Sequence, residues 1–408
     1  MNMKRILLGV VTLSMLTTAC GSDEAKQSDE SAGGNDSTAI EINDNGEPIE
    51  PAKLLSFDTL LTDRARLISG MEPIGNDSVL HAIYNSDLYA SHKEFTQNTW
   101  ESTLETMVEP IHAWTEEKQI GDTRKGTLCF YPLSGPDFLF GNTFFPNAGT
   151  YVMLGLERRG SMPSFADMDN RDQEVYFNGI RGSLKYLNSR GYFVTSHMGS
   201  DFSKRHLNGM LHMILYMMTR TGHYIQQVDE IYIGKDGKPV HLEEGEKAPE
   251  GSLVAIHVHF ITPDRKEVKE LFYFGMNAAD DHLADNPEFV EFVESYENRV
   301  AYMKSASCVL FNPGFETMRK LVIESDKVLQ DDTGMPYRYF VADSSSTIEL
   351  YGTYTRVISD LSWCIQPDLK KDLVEKGENT KLPFKISYNG HKDEGVLIYV
   401  LKEGVDRY

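Results

Sequence analysis

Four cysteines in 408 residues are too few for a disulfide scaffold, and none has the spacing of a zinc ligand set. Cys129, Cys308 and Cys364 each lie in an apolar run and read as small buried hydrophobes, with one bridge among the three left open. No apolar stretch reaches transmembrane length, which excludes a spanning helix. Basic charge is scarce: 40 Lys and Arg stand against 61 Asp and Glu, for a net charge of −21. A chain so acidic is unsuited to nucleic acid or to an anionic lipid surface, so no nucleic-acid partner is expected. The glycine-rich dinucleotide fingerprint and the Gly-x-Ser-x-Gly elbow are also missing, and no cofactor is implied.

What is present begins with an export segment. Lys4 and Arg5 form a positive head, residues 6–16 a short apolar stretch, and Thr18-Ala19 a small-residue approach to Cys20. Residues 1–19 resemble a bacterial lipoprotein signal, in which the Cys20 thiol is acylated and becomes the new N-terminus. The departure is Thr17, where leucine is usual; Leu16 stands one residue earlier. Residues 20–53 carry nine acidic side chains against Lys26 and Lys53 and almost no large apolar ones. Such a segment cannot offset its ordering entropy and reads as a disordered tether. Ser22-Asp23-Glu24 resembles the acidic tag that sends some lipoproteins to the outer face of the outer membrane. The expected address is therefore the outer membrane, facing the surface or the periplasm, with the lipid on Cys20 as the membrane contact.

Residues 54–408 keep a charge of −16 and an ordinary globular composition. From 54 to 120 the chain reads as helical, with stripes at Leu60, Leu61, Leu67, Ile68 and at Trp100, Leu104, Val108, Ile111; Pro110 is expected to kink the second. Continuously apolar runs at 126–132 and 151–156 flank a helical stretch at 138–145, which predicts two parallel strands covered on both faces. A helix at 175–187, a strand at 192–195 and an all-round apolar helix at 209–219 complete a Rossmann-like α/β core over 120–220. Beyond 224, strands at 228–233, 253–261 and 270–274, with a turn at 235–238, predict an antiparallel extension or a smaller second domain. Helices at 286–304 and 315–329 and strands at 337–341, 348–354 and 396–401 finish the 121–408 body.

Ligands in open α/β sheets bind outside the carboxyl ends of strands, which singles out Ser134-Gly135-Pro136-Asp137 after the first strand. The competing reading is a capping box, with Ser134 and Asp137 satisfying a helix N-terminus, and it leads here. Glu157 ends the next strand, and with Arg158 and Arg205 forms the candidate ligand-binding set; the doubled arginine reads equally as a salt-bridged surface. The 196–201 loop offers hydroxyl, imidazole and carboxylate, His197 and Asp201 among them, although triads are seldom so local; a helix N-cap at Ser200 or Asp201 with His197 a polar loop residue is the leading reading. His257 and His259 have metal-like spacing on one face of a strand, but a third ligand is not placed, and two histidines on a solvated face is the leading reading. Residues 331–334 (Asp-Asp-Thr-Gly) read as a turn.

Several phrases resemble a family of bacterial exported proteins and lipoproteins with no assigned activity: 131–138 (Tyr-Pro-Leu-Ser-Gly-Pro-Asp-Phe), 145–148 (Phe-Pro-Asn-Ala), Gly155-Leu156-Glu157, 304–307 (Lys-Ser-Ala-Ser) and 330–336 (Gln-Asp-Asp-Thr-Gly-Met-Pro). The resemblance implies an exported protein and transfers no catalytic residue. Two functions are carried forward: a membrane-tethered body that binds a small molecule or protein partner, and a hydrolase using the loops at 134–137 and 196–201.

Overall fold

The computed structural model describes residues 54–121, 123–193, 202–243, 245–354, 359–386, 388 and 395–407; Cys20, the tether and the loop with His197 and Asp201 lie outside the described residues. Every residue of β1 (Leu128–Tyr131) and β2 (Thr150–Gly155) is buried, as their unbroken apolar sequences require of strands covered on both faces. They pair in parallel at the centre of one mixed sheet. The other strands are β3 (Tyr224–Ile233), β4 (Pro239–His241), β5 (Val254–Ile261), β6 (Val268–Gly275), β7 (Arg299–Met303), β8 (Lys327–Gln330), β9 (Ser346–Thr353) and β10 (Gly395–Lys402). Their spatial order is β4-β3-β5-β6-β2-β1-β7-β8-β10-β9. The run β6-β2-β1-β7-β8 is parallel, and antiparallel strands extend it at both sides.

Side chains of β1 alternate between two cores, as the two-residue strand period demands. Cys129 and Tyr131 face a core with the helices Thr59–Ile68, Asp87–Thr103, Phe138–Phe144, Asn170–Arg190 and Leu211–Arg220. Leu128 and Phe130 face a second core with Pro287–Glu294, Glu316–Ile323, Tyr337–Ala342 and Pro367–Lys376. Helix ends follow local chemistry. Asp169 caps Asn170–Arg190 by accepting from the Asp172 N–H, and Gly191 closes it at φ 78°. All ten residues of Leu211–Arg220 are buried, matching its all-round apolar sequence. A widened π turn at Leu104–Val108 precedes Pro110, which sits in the first turn of Glu109–Lys118, where its missing N–H is tolerated.

The sheet corrects several expectations. The parallel core is not confined to 120–220, because β6, β7 and β8 come from later in the chain; of the two alternatives beyond 224, the antiparallel extension of the same sheet is the one formed. Tyr192 and Phe193 are not in a strand; Gly191 ends the preceding helix and the chain turns directly. The expected helix at 286–304 stops at Glu294, and 299–303 becomes β7, buried between β1 and β8. Similarly, 315–329 divides into Glu316–Ile323 and β8. A short apolar run fits either element, and here pairing in the sheet decided. Conversely, 337–341 is helical: only Tyr337 and Phe340 are buried, three residues apart, so β-formers lose to one-sided packing. Cys308 and Cys364 form a disulfide with Cα atoms 6.4 Å apart, leaving Cys129 as the free buried thiol among the described residues.

Candidate functional site

β1 leads to β2 on one side of it, whereas β7, on its other side, leads outward to β8. The β1/β7 boundary is thus a point where strand order reverses, the place at which a crevice opens outside the carboxyl ends. A cleft of about 160 Å³ lies there, lined by the loops after β1, β2 and β7 and by Tyr192, Phe193 and Tyr388.

Its floor holds a charge pair. Lys304, one residue past β7, points its ammonium at Asp137 Oδ2 at 2.9 Å, and both residues are 3 % exposed. Lys304 also donates to the Gly191 carbonyl and sits 3.6 Å from the centroid of the Phe140 ring. Burial pulls the Lys304 pKa down while Asp137 opposes the shift. Asp137 Oδ2 accepts from the Tyr131 hydroxyl at 2.9 Å, but its Oδ1, also buried, has no hydrogen-bond partner among the described residues. Ser305 Oγ is in the same condition.

The β7 loop is held in an uncommon backbone form. Ser305, Ser307 and Cys308 all have φ 54°, left-handed geometry that persists only when its surroundings over-determine it. The buried loop after β8 does this. Asp331 Oδ2 accepts from the Ser305 N–H at 2.6 Å, Thr333 Oγ1 from Ala306 N–H at 2.8 Å, and the Thr333 carbonyl from Cys308 N–H at 3.1 Å. Asp331 Oδ1 is in turn tied to the Thr333 N–H and hydroxyl. Burial raises the Asp331 pKa, and these donors work against the rise. The Cys308–Cys364 bridge anchors the end of the same loop. On the outer side Tyr388 donates to the Ser305 carbonyl at 2.7 Å and meets Tyr192 edge-on.

The candidates of the sequence separate clearly. Ser134, Asp137 and Glu157 line the cleft together. The capping box is not formed: Asp137 stands at the N-cap of Phe138–Phe144 without a side-chain cap bond, and Ser134 Oγ donates to the Gly135 and Leu154 carbonyls. The pull of Lys304 on the carboxylate outweighs a single cap contact. Arg158 and Arg205 do not line the cleft, and Arg159 pairs with Glu230 at 3.5 Å. His257 and His259 are on a different part of the sheet; His257 is buried, while His259 is only partly so. Residues 331–334 do turn, as expected, but the turn is buried and serves as a brace. Lys304 and Asp331 were missed. The available signal was a lysine closing the apolar run 300–303 and followed by Ser-Ala-Ser, which marks a strand end once 299–303 is read as a strand.

Comparison with models of known protein families, with characterised proteins and with solved structures finds no match to this chain.

Proposed function

We propose that the protein is a lipoprotein tethered through Cys20 whose α/β body binds a small polar ligand in the strand-end cleft. The observation that carries this reading is the Asp137–Lys304 pair, buried at the reversal point with one carboxylate oxygen unmet. A buried ion pair is a costly way to fill space, and apolar residues of the same size are often as stable. Its position at the mouth of three parallel strands makes ligand contact the reason for keeping it. Asp137 Oδ1 and the Glu157 carboxylate present acceptors to the cleft, so its ligand brings O–H or N–H donors, as sugars and amines do. The Cys308–Cys364 bridge supports an oxidising compartment, in keeping with export. Among the described residues no helix is long and apolar enough to cross a membrane.

Hydrolysis is the weaker reading. No serine hydroxyl of the cleft is hydrogen-bonded to a base among the described residues: Ser134 is spent on main-chain carbonyls and Ser307 on Tyr388. A calorimetric screen of monosaccharides, amino sugars and small amines tests the binding reading. Ligands should bind the wild type and weaken in Glu157→Gln, a half-buried position whose change spares the fold. Failure of the whole panel to bind, or equal binding by the variant, refutes it. The anchor is tested separately, by mass spectrometry of the mature N-terminus for a diacylglyceryl group on Cys20.

A further inference from the structure

Two histidines two residues apart on a strand share one face, and an antiparallel neighbour places a third side chain opposite them. On β5 these are His257 and His259, and the β6 residue paired with His259 is Glu270. Glu270 is level with Thr150, the first residue of β2, so the cluster lies toward the amino-terminal ends of the central parallel strands, away from the cleft. Each of the three offers a ligand atom, and these atoms all lie within 4.8 Å of one another.

The cluster is not satisfied by its own contacts. His257 Nε2 and His259 Nδ1 each stand 3.7 Å from Glu270 Oε1, beyond hydrogen-bond reach. The His257 ring is stacked on Phe272 at 4.0 Å and is 3 % exposed, yet neither of its nitrogens has a hydrogen-bond partner among the described residues. Buried polar atoms are nearly always paired, so the open His257 Nε2, the nitrogen that faces Glu270, marks a place for an occupant. Ligands of a tetrahedral ion with bonds of about 2.0–2.1 Å lie roughly 3.4 Å apart, a contraction that small side-chain rotations supply.

We infer that His257, His259 and Glu270 bind a divalent transition-metal ion of the zinc class, independently of whatever occupies the cleft. Two imidazoles and one carboxylate suit zinc and its neighbours; calcium and magnesium want an oxygen-rich set that this face lacks. His259 and Glu270 are only partly buried, which leaves a coordination position facing solvent. Beside the cluster, His241 Nδ1 lies 3.1 Å from Asp229 Oδ2, and its ring centroid is 5.5 Å from that of His257.

The test uses the full chain stripped by a chelator, then titrated with cobalt(II) and competed with zinc. One ion per chain, cobalt absorption of the tetrahedral type and a zinc-dependent rise in melting temperature are expected. Glu270→Gln should weaken cobalt binding by at least about 10- to 100-fold, the loss typical of altering a metal site's immediate partners. His257→Ala should abolish binding; should that variant not fold, the half-exposed Glu270→Gln decides alone. Absence of stoichiometric binding by the wild type overturns the inference. So does wild-type affinity in Glu270→Gln, and so does a loss seen in His241→Ala but not in Glu270→Gln, which would assign the ion to His241 and Asp229.

Discussion

Replacing Lys304 by methionine keeps the side-chain volume and removes only the charge and its donors. In the variant, Asp137 remains 3 % exposed with its Oδ1 unmet and a single hydrogen bond from Tyr131 to its Oδ2. Breaking one side of a buried pair costs about 3–5 kcal/mol because the surviving charge is stranded. The Gly191 carbonyl also loses its donor, which adds about 1 kcal/mol. Against this, the methionine side chain would still pack on Phe140, so we expect a loss of about 4 kcal/mol at neutral pH, a large share of a typical domain's stability. Removing both charges, in Lys304→Met with Asp137→Asn, should return stability to within about 1 kcal/mol of the wild type or above it, since a buried pair contributes little net stability. Guanidinium unfolding followed by circular dichroism, with unchanged denaturant dependence, reads both quantities. The double variant should at the same time lose the cleft's ligand. If it is as unstable as Lys304→Met alone, the pair is a structural device and the argument that function retains it fails.

Cys308→Ser should cost about 4 kcal/mol, the loop-closure value for a bridge spanning 56 residues, and reduction of the wild type should give the same loss; equal unfolding midpoints would show the bridge to be irrelevant to stability. Acid should destabilise the fold through His92, His212 and His223, whose pKa values burial lowers to about 3, about 3 and about 4. Each is neutral when folded and takes up a proton near pH 6.5 when unfolded, so stability is complete above that pH and falls below it by up to about 1.4 kcal/mol per pH unit per histidine. His212→Gln, keeping the Tyr176 contact, should flatten that slope by about a third between pH 6 and 4.5, and an unchanged slope would remove His212 from the account.

Much of the central sheet was legible because β1 and β2 are apolar throughout, and only a position inside a sheet covered on both faces satisfies such segments. The loop after β1 was legible for the same reason, since it is a consequence of where parallel strands end. Its chemistry was not. Ser134 and Asp137 have the spacing of a cap, and nothing within ten residues reveals that Lys304 will take the carboxylate instead. Lys304 itself was hidden by the reading of 299–303 as helix, because those apolar residues fit the end of a helix as well as they fit β7. Likewise, the histidine pair on β5 is plain in the sequence, while Glu270 becomes its neighbour only through the register of β5 against β6. Local pattern determined which segments are buried and where several helices begin. Tertiary structure alone decided the partners of buried charge, because a charge is satisfied by whatever lies within a few ångströms in space, and sequence separations of 13 (257 to 270) to 167 residues (137 to 304) leave no local trace of that choice.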